Sequence, residues 1–146
     1  RLITEPIAEK IKQLKMPLVR LAYDKIQDRP YLMSAIGMLK AVGVSPKDIL
    51  VYTLYNYKDT PEDFLRRLND IMSLGAVAYP MRYQPVDALE KDTYIAPNWS
   101  VELLEMVAKA RRMLGTHGAF PSYEGLVKKF GNAKNLEEAM SLREAV

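Results

Sequence analysis

The stretch that decides the fold is residues 50–63, which read LVYTLYNYKDTPED. Its first six residues are aliphatic, β-branched or aromatic, which is the composition of a strand covered on both faces. After a break at 56–59, Thr60 can cap a helix that has Pro61 at its first position. The stretch therefore predicts a strand that runs into a helix N-terminus, the place where α/β folds bind their ligands.

The same strand–helix unit repeats along the first part of the chain. Apolar runs at 18–23, 49–56 and 76–83 predict three strands that begin about 30 residues apart, with a helix predicted before each of them. This α-β-α-β-α-β order predicts right-handed crossovers and a parallel sheet.

Beyond Pro85 the pattern changes. A long and largely polar segment leads to Ser100, which can cap a fourth helix that ends before Gly115. The residues 122–130 and 135–145 are predicted as two short helices.

Composition narrows the class of protein. The chain has 146 residues, 49% of them hydrophobic, which suffices for the core of one domain. Its net charge of +3 comes from Lys and Arg mixed with acids along the chain, so nucleic acid is not an expected partner. No apolar run is long enough for a membrane span, no secretory signal is visible, and the cytoplasm is the expected location. With no Cys and a single His117, the chain has no disulfide, no thiolate metal site and no Cys-ligated cluster of its own.

Strand alternation predicts two different faces of the sheet. Small residues with charged residues at the strand ends suit a lumen that holds a ligand, and large apolar residues suit packing against helices. The predicted lumen residues are Arg20, Ala22, Asp24, Thr53, Tyr55, Ala78, Pro80 and Arg82. The residues predicted to face helices are Val19, Leu21, Tyr52, Leu54, Val77 and Tyr79.

The turn after the second strand resembles a known family, the radical S-adenosylmethionine enzymes. Their fifth barrel strand ends in a turn of the type I-V-G-x-P-G-E-T-x-E-D, and residues 53–63 here read TLYNYKDTPED, with Tyr55 at the first glycine position. Residues 18–85 are similar to the last three strand–helix units of that family. The resemblance implies an α/β fold in which residues 1–85 form the parallel-stranded C-terminal half of a (βα)6 partial TIM-type barrel. Residues 86–146 would then be a helical extension of the same domain.

The resemblance also implies an activity and its cofactors. The full-length enzyme would reductively cleave S-adenosylmethionine through a [4Fe–4S] cluster, release a 5′-deoxyadenosyl radical and abstract hydrogen from a substrate of unknown identity. The family binds its cluster through three Cys after the first strand, so the cluster is assigned to a missing N-terminal half of the same protein. On its own, this chain would have no cofactor, would be inactive and free of iron, and would bind S-adenosylmethionine weakly at most. In the full-length enzyme it would form the wall of the site that holds the cosubstrate and the substrate.

Three polar residues at the strand ends are the candidate cosubstrate ligands. Asp24 can accept hydrogen bonds from ribose hydroxyls, or can be a helix cap or a solvated acid. Arg82 can pair with the carboxylate of S-adenosylmethionine or of an anionic substrate, or form an ion pair with Asp24 or a nearby acid. Asn56 can reach the ligand through its amide or serve only the turn. No catalytic residue and no metal ligand is predicted.

Two other readings stay open at this point. The chain can be a self-contained small α/β ligand-binding domain without radical chemistry, or a nucleic-acid module. A Cys-x3-Cys-x2-Cys loop upstream of residue 1 would favour the radical S-adenosylmethionine enzyme, and a Gly-rich phosphate loop there would favour the self-contained α/β domain. If the chain is a half-barrel, the strand at 18–23 lacks its upstream neighbour. We therefore expect the isolated chain to self-associate, most simply as a two-fold dimer that buries the exposed edge or the lumen face.

Overall fold

Residues 2–114 and 117–122 are described by the computed structural model, and in them four α-helices alternate with three strands. The elements are α1 (Glu5–Gln13), β1 (Val19–Ala22), α2 (Arg29–Ala41), β2 (Ile49–Tyr55), α3 (Pro61–Ser73), β3 (Val77–Arg82) and α4 (Val101–Leu114), with short 3₁₀ turns at Ile26–Asp28 and Pro46–Asp48. The strands pair in parallel in the order β1-β2-β3. The predicted α/β class, parallel sheet and three strands are confirmed. The helices predicted at 122–130 and 135–145 fall, from residue 123 onward, outside the described residues.

Two helix starts depend on the capping residues that the sequence indicates. At α3 the Thr60 hydroxyl accepts a hydrogen bond from the Asp63 N–H at 3.2 Å, and Pro61 is the first helical residue. At α4 the Ser100 hydroxyl accepts from the Leu103 N–H at 3.3 Å. Each cap satisfies one backbone N–H that lacks an acceptor within the helix. Both predicted caps are confirmed.

The sheet has one covered face and one open face. Right-handed crossovers place α2 and α3 on the same side, and on that side every β2 residue is buried: Ile49, Val51, Thr53 and Tyr55. The opposite side, called the open face below, carries Arg20, Ala22, Asp24, Leu50, Tyr52, Leu54, Val77, Tyr79 and Met81. None of these nine residues is buried. Within the described residues, therefore, helices cover the sheet on one side only.

The predicted assignment of faces is right for β1 and wrong for β2 and β3. Ala22 pairs in register with Tyr52, so Tyr52 and its alternate neighbours share the open face with Arg20 and Ala22. Thr53 and Tyr55 lie under the helices instead. The ring of Tyr55 packs 4.9 Å from that of Phe64 on α3, so this large side chain belongs to the core. The same register moves Val77 and Tyr79 to the open face and Ala78, Pro80 and Arg82 to the helix side.

The segment between β3 and α4 returns across the carboxyl ends of the strands. Ala96 and Trp99 in this segment are buried, although most of the residues around them are polar. Farther along the chain, Phe120 exchanges two backbone hydrogen bonds with Ala78, at 2.7 and 3.0 Å, beside the outer edge of β3. Strand β1 is thus the uncovered edge of the sheet in the described part of the chain. No helix in that part has the length and apolar character that crossing a membrane requires.

Candidate functional site

The three predicted site residues do lie at one edge of the sheet. Asp24 follows β1, Asn56 follows β2, and Arg82 is the last residue of β3, so all three are at the carboxyl ends of parallel strands. The alternative ion pair of Arg82 with a nearby acid is present, and its partner is Asp92 and not Asp24: the Nη1 of Arg82 lies 3.7 Å from an oxygen of Asp92. The topology therefore places the three residues at one edge of the sheet, whereas Arg82 lies on the helix side and not on the predicted lumen face.

Asn56 is completely buried and holds the returning segment in place. Its amide nitrogen donates to the carbonyl of Tyr94 at 2.9 Å, and its amide oxygen accepts the N–H of Ala96 at 2.8 Å. A longer bond of 3.4 Å reaches the carbonyl of Tyr83. The backbone of Asn56 has φ +62°, a left-handed conformation that Asn tolerates better than most residues. Both ends of the amide are thus engaged by the chain itself.

Arg82 contacts the same segment from β3. Its Nη2 donates to the carbonyls of Asp92 at 2.9 Å and Tyr94 at 3.2 Å. Its Nε is buried without a partner among the described residues. Asn56 and Arg82 together therefore hold the backbone of residues 92–96 over the strand ends by hydrogen bonds, an arrangement called the clasp below.

Asp24 differs from the other two because its side chain is exposed. Tyr23 extends the β1–β2 ladder by donating its N–H to the carbonyl of Tyr52 at 2.8 Å. One carboxylate oxygen of Asp24 then accepts the N–H of Leu54 at 2.7 Å, in place of a backbone acceptor. The carboxylate is thereby fixed at the rim of the open face with part of its surface in solvent.

A buried ion pair under these residues was missed at the sequence level. Arg67 on α3 is fully buried, and its Nη2 lies 2.6 Å from an oxygen of Asp59. Its Nη1 donates to the carbonyl of Leu54 at 2.7 Å and to the hydroxyl of Thr53. Burial lowers the pKa of Arg67, and the negative charge of Asp59 opposes that shift. A signal existed in the sequence, since position 67 falls on the apolar stripe of α3 with Phe64, Leu68 and Ile71.

The same carboxylate connects the turn after β2 with the start of α4. The second oxygen of Asp59 accepts the indole N–H of Trp99 at 3.0 Å and the backbone N–H of Tyr57 at 3.0 Å. Trp99 also packs 5.5 Å from the Tyr55 ring, centre to centre. Asp59 is therefore the common acceptor of the turn, α3 and the segment before α4.

A second polar cluster lies where Tyr23 meets α3. The Tyr23 hydroxyl donates to Asp70 at 2.9 Å, and Arg29 donates to the other oxygen of Asp70 at 3.0 Å. Burial, and then the bond to the Asp70 carboxylate, raise the pKa of the Tyr23 hydroxyl well above its usual value. In both polar clusters the carboxylates are engaged by protein groups, although the Nε of Arg67 is buried without a partner among the described residues.

The open face is mainly aromatic and aliphatic. The rings of Tyr52 and Tyr79 meet edge to face with centroids 5.4 Å apart, and the Arg111 guanidinium lies 5.4 Å from the Tyr79 centroid. Among the strand residues of this face, Arg20 on β1 carries the charge, and Asp24 lies at the rim just after β1. No group of three or more His, Cys, Asp or Glu among the described residues is arranged to hold a metal ion.

Comparison with known proteins gives no relative for the chain. No protein-family model, no curated protein and no solved structure matches it. Function is therefore inferred from the geometry of the sheet and its polar residues, together with the sequence resemblance at residues 53–63.

Proposed function

We propose that this chain is the cosubstrate- and substrate-facing wall of a radical S-adenosylmethionine enzyme, from the C-terminal half of a (βα)6 partial barrel. The observation that supports the proposal is the parallel sheet with helices on one face only. Parallel sheets are normally covered on both faces, because crossover helices or a closed lumen occupy them. In a barrel with this arrangement the open face is the inner wall, and the carboxyl ends of the strands carry the active site.

The three candidate ligands have different roles in this proposal. Asp24 contacts the cosubstrate, because its carboxylate is exposed at the rim of the open face and its orientation is fixed by the Leu54 N–H. A carboxylate accepts hydrogen bonds from a pair of ribose hydroxyls, which gives orientation as well as affinity. Asn56 and Arg82 are positioning residues, since their polar groups hold residues 92–96 across the strand ends. In this proposal the partly solvated Asp24 carboxylate faces the ligand, and the other two side chains shape the site.

The iron–sulfur cluster does not fit the residues of this chain. Its ligands are Cys thiolates, and the 146 residues contain no Cys. The cluster and the reduction step are therefore assigned to another part of the protein. When bound, S-adenosylmethionine supplies the hydrogen-abstracting group of this enzyme family. This chain orients its ribose through Asp24, and the Leu, Tyr and Met side chains of the open face form an apolar wall for the substrate.

Cosubstrate affinity tests this proposal in the complete protein encoded by the reading frame that contains the chain. Loss of a charge-assisted hydrogen bond predicts that Asp24→Ala weakens S-adenosylmethionine binding by about 1–3 kcal/mol, roughly 5- to 150-fold in Kd. Asp24→Asn retains an acceptor for the Leu54 N–H and separates loss of charge from loss of local structure. Asp87→Ala is the matched control, because Asp87 is exposed on the segment that follows β3.

Two results would favour the self-contained α/β ligand-binding domain instead. One is a reading frame without a Cys-x3-Cys-x2-Cys loop upstream of residue 1. The other is calorimetry in which the 146-residue chain alone binds S-adenosylmethionine with a Kd on the order of 1 μM, about −8 kcal/mol. Equal affinities of the Asp24→Ala and Asp87→Ala proteins for S-adenosylmethionine would show that Asp24 does not contact the cosubstrate.

A further inference from the structure

The edge of β1 offers unpaired backbone groups in a regular row. Tyr23 donates its N–H to β2, so the backbone groups of residues 19, 21 and 23 point toward the sheet. Because these directions alternate along a strand, the N–H and C=O groups of Arg20 and Ala22 point away from β2, and the same alternation continued beyond β1 gives this direction for Asp24. No backbone hydrogen bond of these three residues is formed with any other described residue. This edge can therefore accept another strand without breaking an existing bond.

There is room beside the edge for such a strand. An open groove of about 590 Å³ runs along β1, lined by Arg20, Leu21 and Ala22 on one side and by Leu32 and Ala35 of α2 on the other. Leu2 and Ile3 also line the groove, and Leu2 is 83% exposed. The edge carries neither a proline nor an inward-pointing charge, two of the devices that keep edge strands apart. The free edge is thus sterically accessible.

The residue order on this edge is complementary to itself. The sequence from residue 20 to residue 24 is Arg-Leu-Ala-Tyr-Asp, with a small residue at its centre and opposite charges at its ends. In an antiparallel pair about a two-fold axis at Ala22, Arg20 of one copy lies opposite Asp24 of the other, twice. Leu21 then lies opposite Tyr23 on the helix side. A parallel partner strand would not bring Arg20 of each copy opposite Asp24 of the other, because a two-fold axis at Ala22 relates antiparallel strands.

We propose that a second copy of this chain occupies the β1 edge, forming a two-fold dimer with Ala22 on the axis and a continuous six-stranded sheet. Each of the three outward-pointing residues belongs to a hydrogen-bonded pair, so six backbone hydrogen bonds would form across the axis. Cross-strand pairs of opposite charge and of aromatic with aliphatic residues are the favourable kinds. This dimer is formed by the 146-residue chain and does not depend on the proposed radical chemistry. In a complete barrel the same edge would pair with a strand from the rest of the protein.

The mass of the chain in solution is the first test. Light scattering on the order of 100 μM should give about 33 kDa, twice the 16.6 kDa of one chain, with a decrease on dilution. Ala22→Pro removes the central outward-pointing N–H, and an edge strand tolerates proline there because no internal bond is lost. The Ala22→Pro chain should be monomeric with an unchanged circular dichroism spectrum. A monomeric natural chain at this concentration, or a dimeric Ala22→Pro chain, would overturn the proposal.

Charge exchange tests the register. Arg20→Asp places two acids opposite each other in a homodimer, and Asp24→Arg places two bases opposite each other. Each variant alone should be monomeric, whereas an equimolar mixture should form a heterodimer in which both opposite-charge pairs are restored. Homodimers of either variant as tight as the natural chain, or no heterodimer from two variants that each show the folded spectrum, would exclude this register.

A cross-link tests the axis independently, because the chain has no Cys. Hydrogen-bonded antiparallel pairs have Cα atoms about 5.5 Å apart, within the range that a disulfide spans. Ala22→Cys should therefore give a covalent dimer on mild oxidation. Met81→Cys, exposed on the opposite strand of the sheet, is the control and should remain largely monomeric. Equal cross-linking of the two variants would contradict the proposed axis.

Discussion

The buried pair of Arg67 and Asp59 gives the sharpest stability prediction. Arg67→Met keeps the length of the side chain on the apolar stripe of α3 but removes the cation that lies 2.6 Å from the Asp59 carboxylate. The Asp59 side chain is only 10% exposed, so its charge would remain in a poorly solvated place. Removing one partner of a buried pair in this way costs about 3–5 kcal/mol of unfolding free energy. For a domain of this size that corresponds to a decrease in Tm of roughly 6–20 °C.

Urea unfolding followed by fluorescence measures this cost directly. Trp99 is the only tryptophan, and its indole donates to Asp59, so the emission reports on the same cluster. Arg66→Met is the matched control on the same helix, because Arg66 is exposed, and we expect a change within about 0.5 kcal/mol. Asp59→Asn combined with Arg67→Met should be no less stable than Arg67→Met alone, since the stranded charge is removed as well. Equal unfolding free energies of the Arg66→Met and Arg67→Met chains would refute the role of the pair.

Three further predictions concern the clasp over the strand ends and the cluster around Tyr23. Asn56→Ala leaves the buried Tyr94 carbonyl and Ala96 N–H without their partner and should cost about 2–3 kcal/mol in urea unfolding. Limited proteolysis should also cut residues 84–98 faster in the Asn56→Ala chain than in the Asn98→Ala chain. Asn98 is the control because its amide donates one long hydrogen bond, of 3.4 Å. Equal rates of cutting would exclude the clasp. Because the folded-state pKa of Tyr23 is raised, its stabilising contribution is complete below about pH 10, the usual tyrosine value, and decreases above it as the unfolded chain ionises first. Tyr23→Phe should therefore cost about 1 kcal/mol at neutral pH and make the loss of stability above pH 10 shallower; parallel alkaline profiles for the two chains would contradict this.

Local signals in the sequence predict the elements of this fold well. The apolar run before Asn56 and the Thr60-Pro61 pair determine a strand and a helix start through interactions within a few residues. The periodic alternation of such units then predicts the parallel sheet. The three predicted strands agree with β1, β2 and β3 to within one residue at each end.

The contents of the candidate site depend on tertiary contacts, which explains what the sequence missed. The hydroxyl of the buried Thr53 accepts a hydrogen bond from Arg67, fourteen residues later, and nothing near Thr53 in the sequence indicates that bond. Asn56 is satisfied by a segment some forty residues away, which reads as polar and unstructured in isolation. The positions of Asp24, Asn56 and Arg82 at one sheet edge follow from topology, whereas the engagement of two of them by residues 92–96 does not.

Production of 5′-deoxyadenosine tests the proposed function most directly. The complete protein encoded by the reading frame that contains this chain should be reconstituted anaerobically with iron and sulfide, reduced, and mixed with S-adenosylmethionine. We expect 5′-deoxyadenosine to form at a level at least comparable to the enzyme concentration, with a lower yield at limiting cosubstrate for Asp24→Ala than for Asp87→Ala. A reconstituted, folded protein that forms no more 5′-deoxyadenosine than the 146-residue chain alone would contradict the assignment of this sheet to a radical S-adenosylmethionine enzyme.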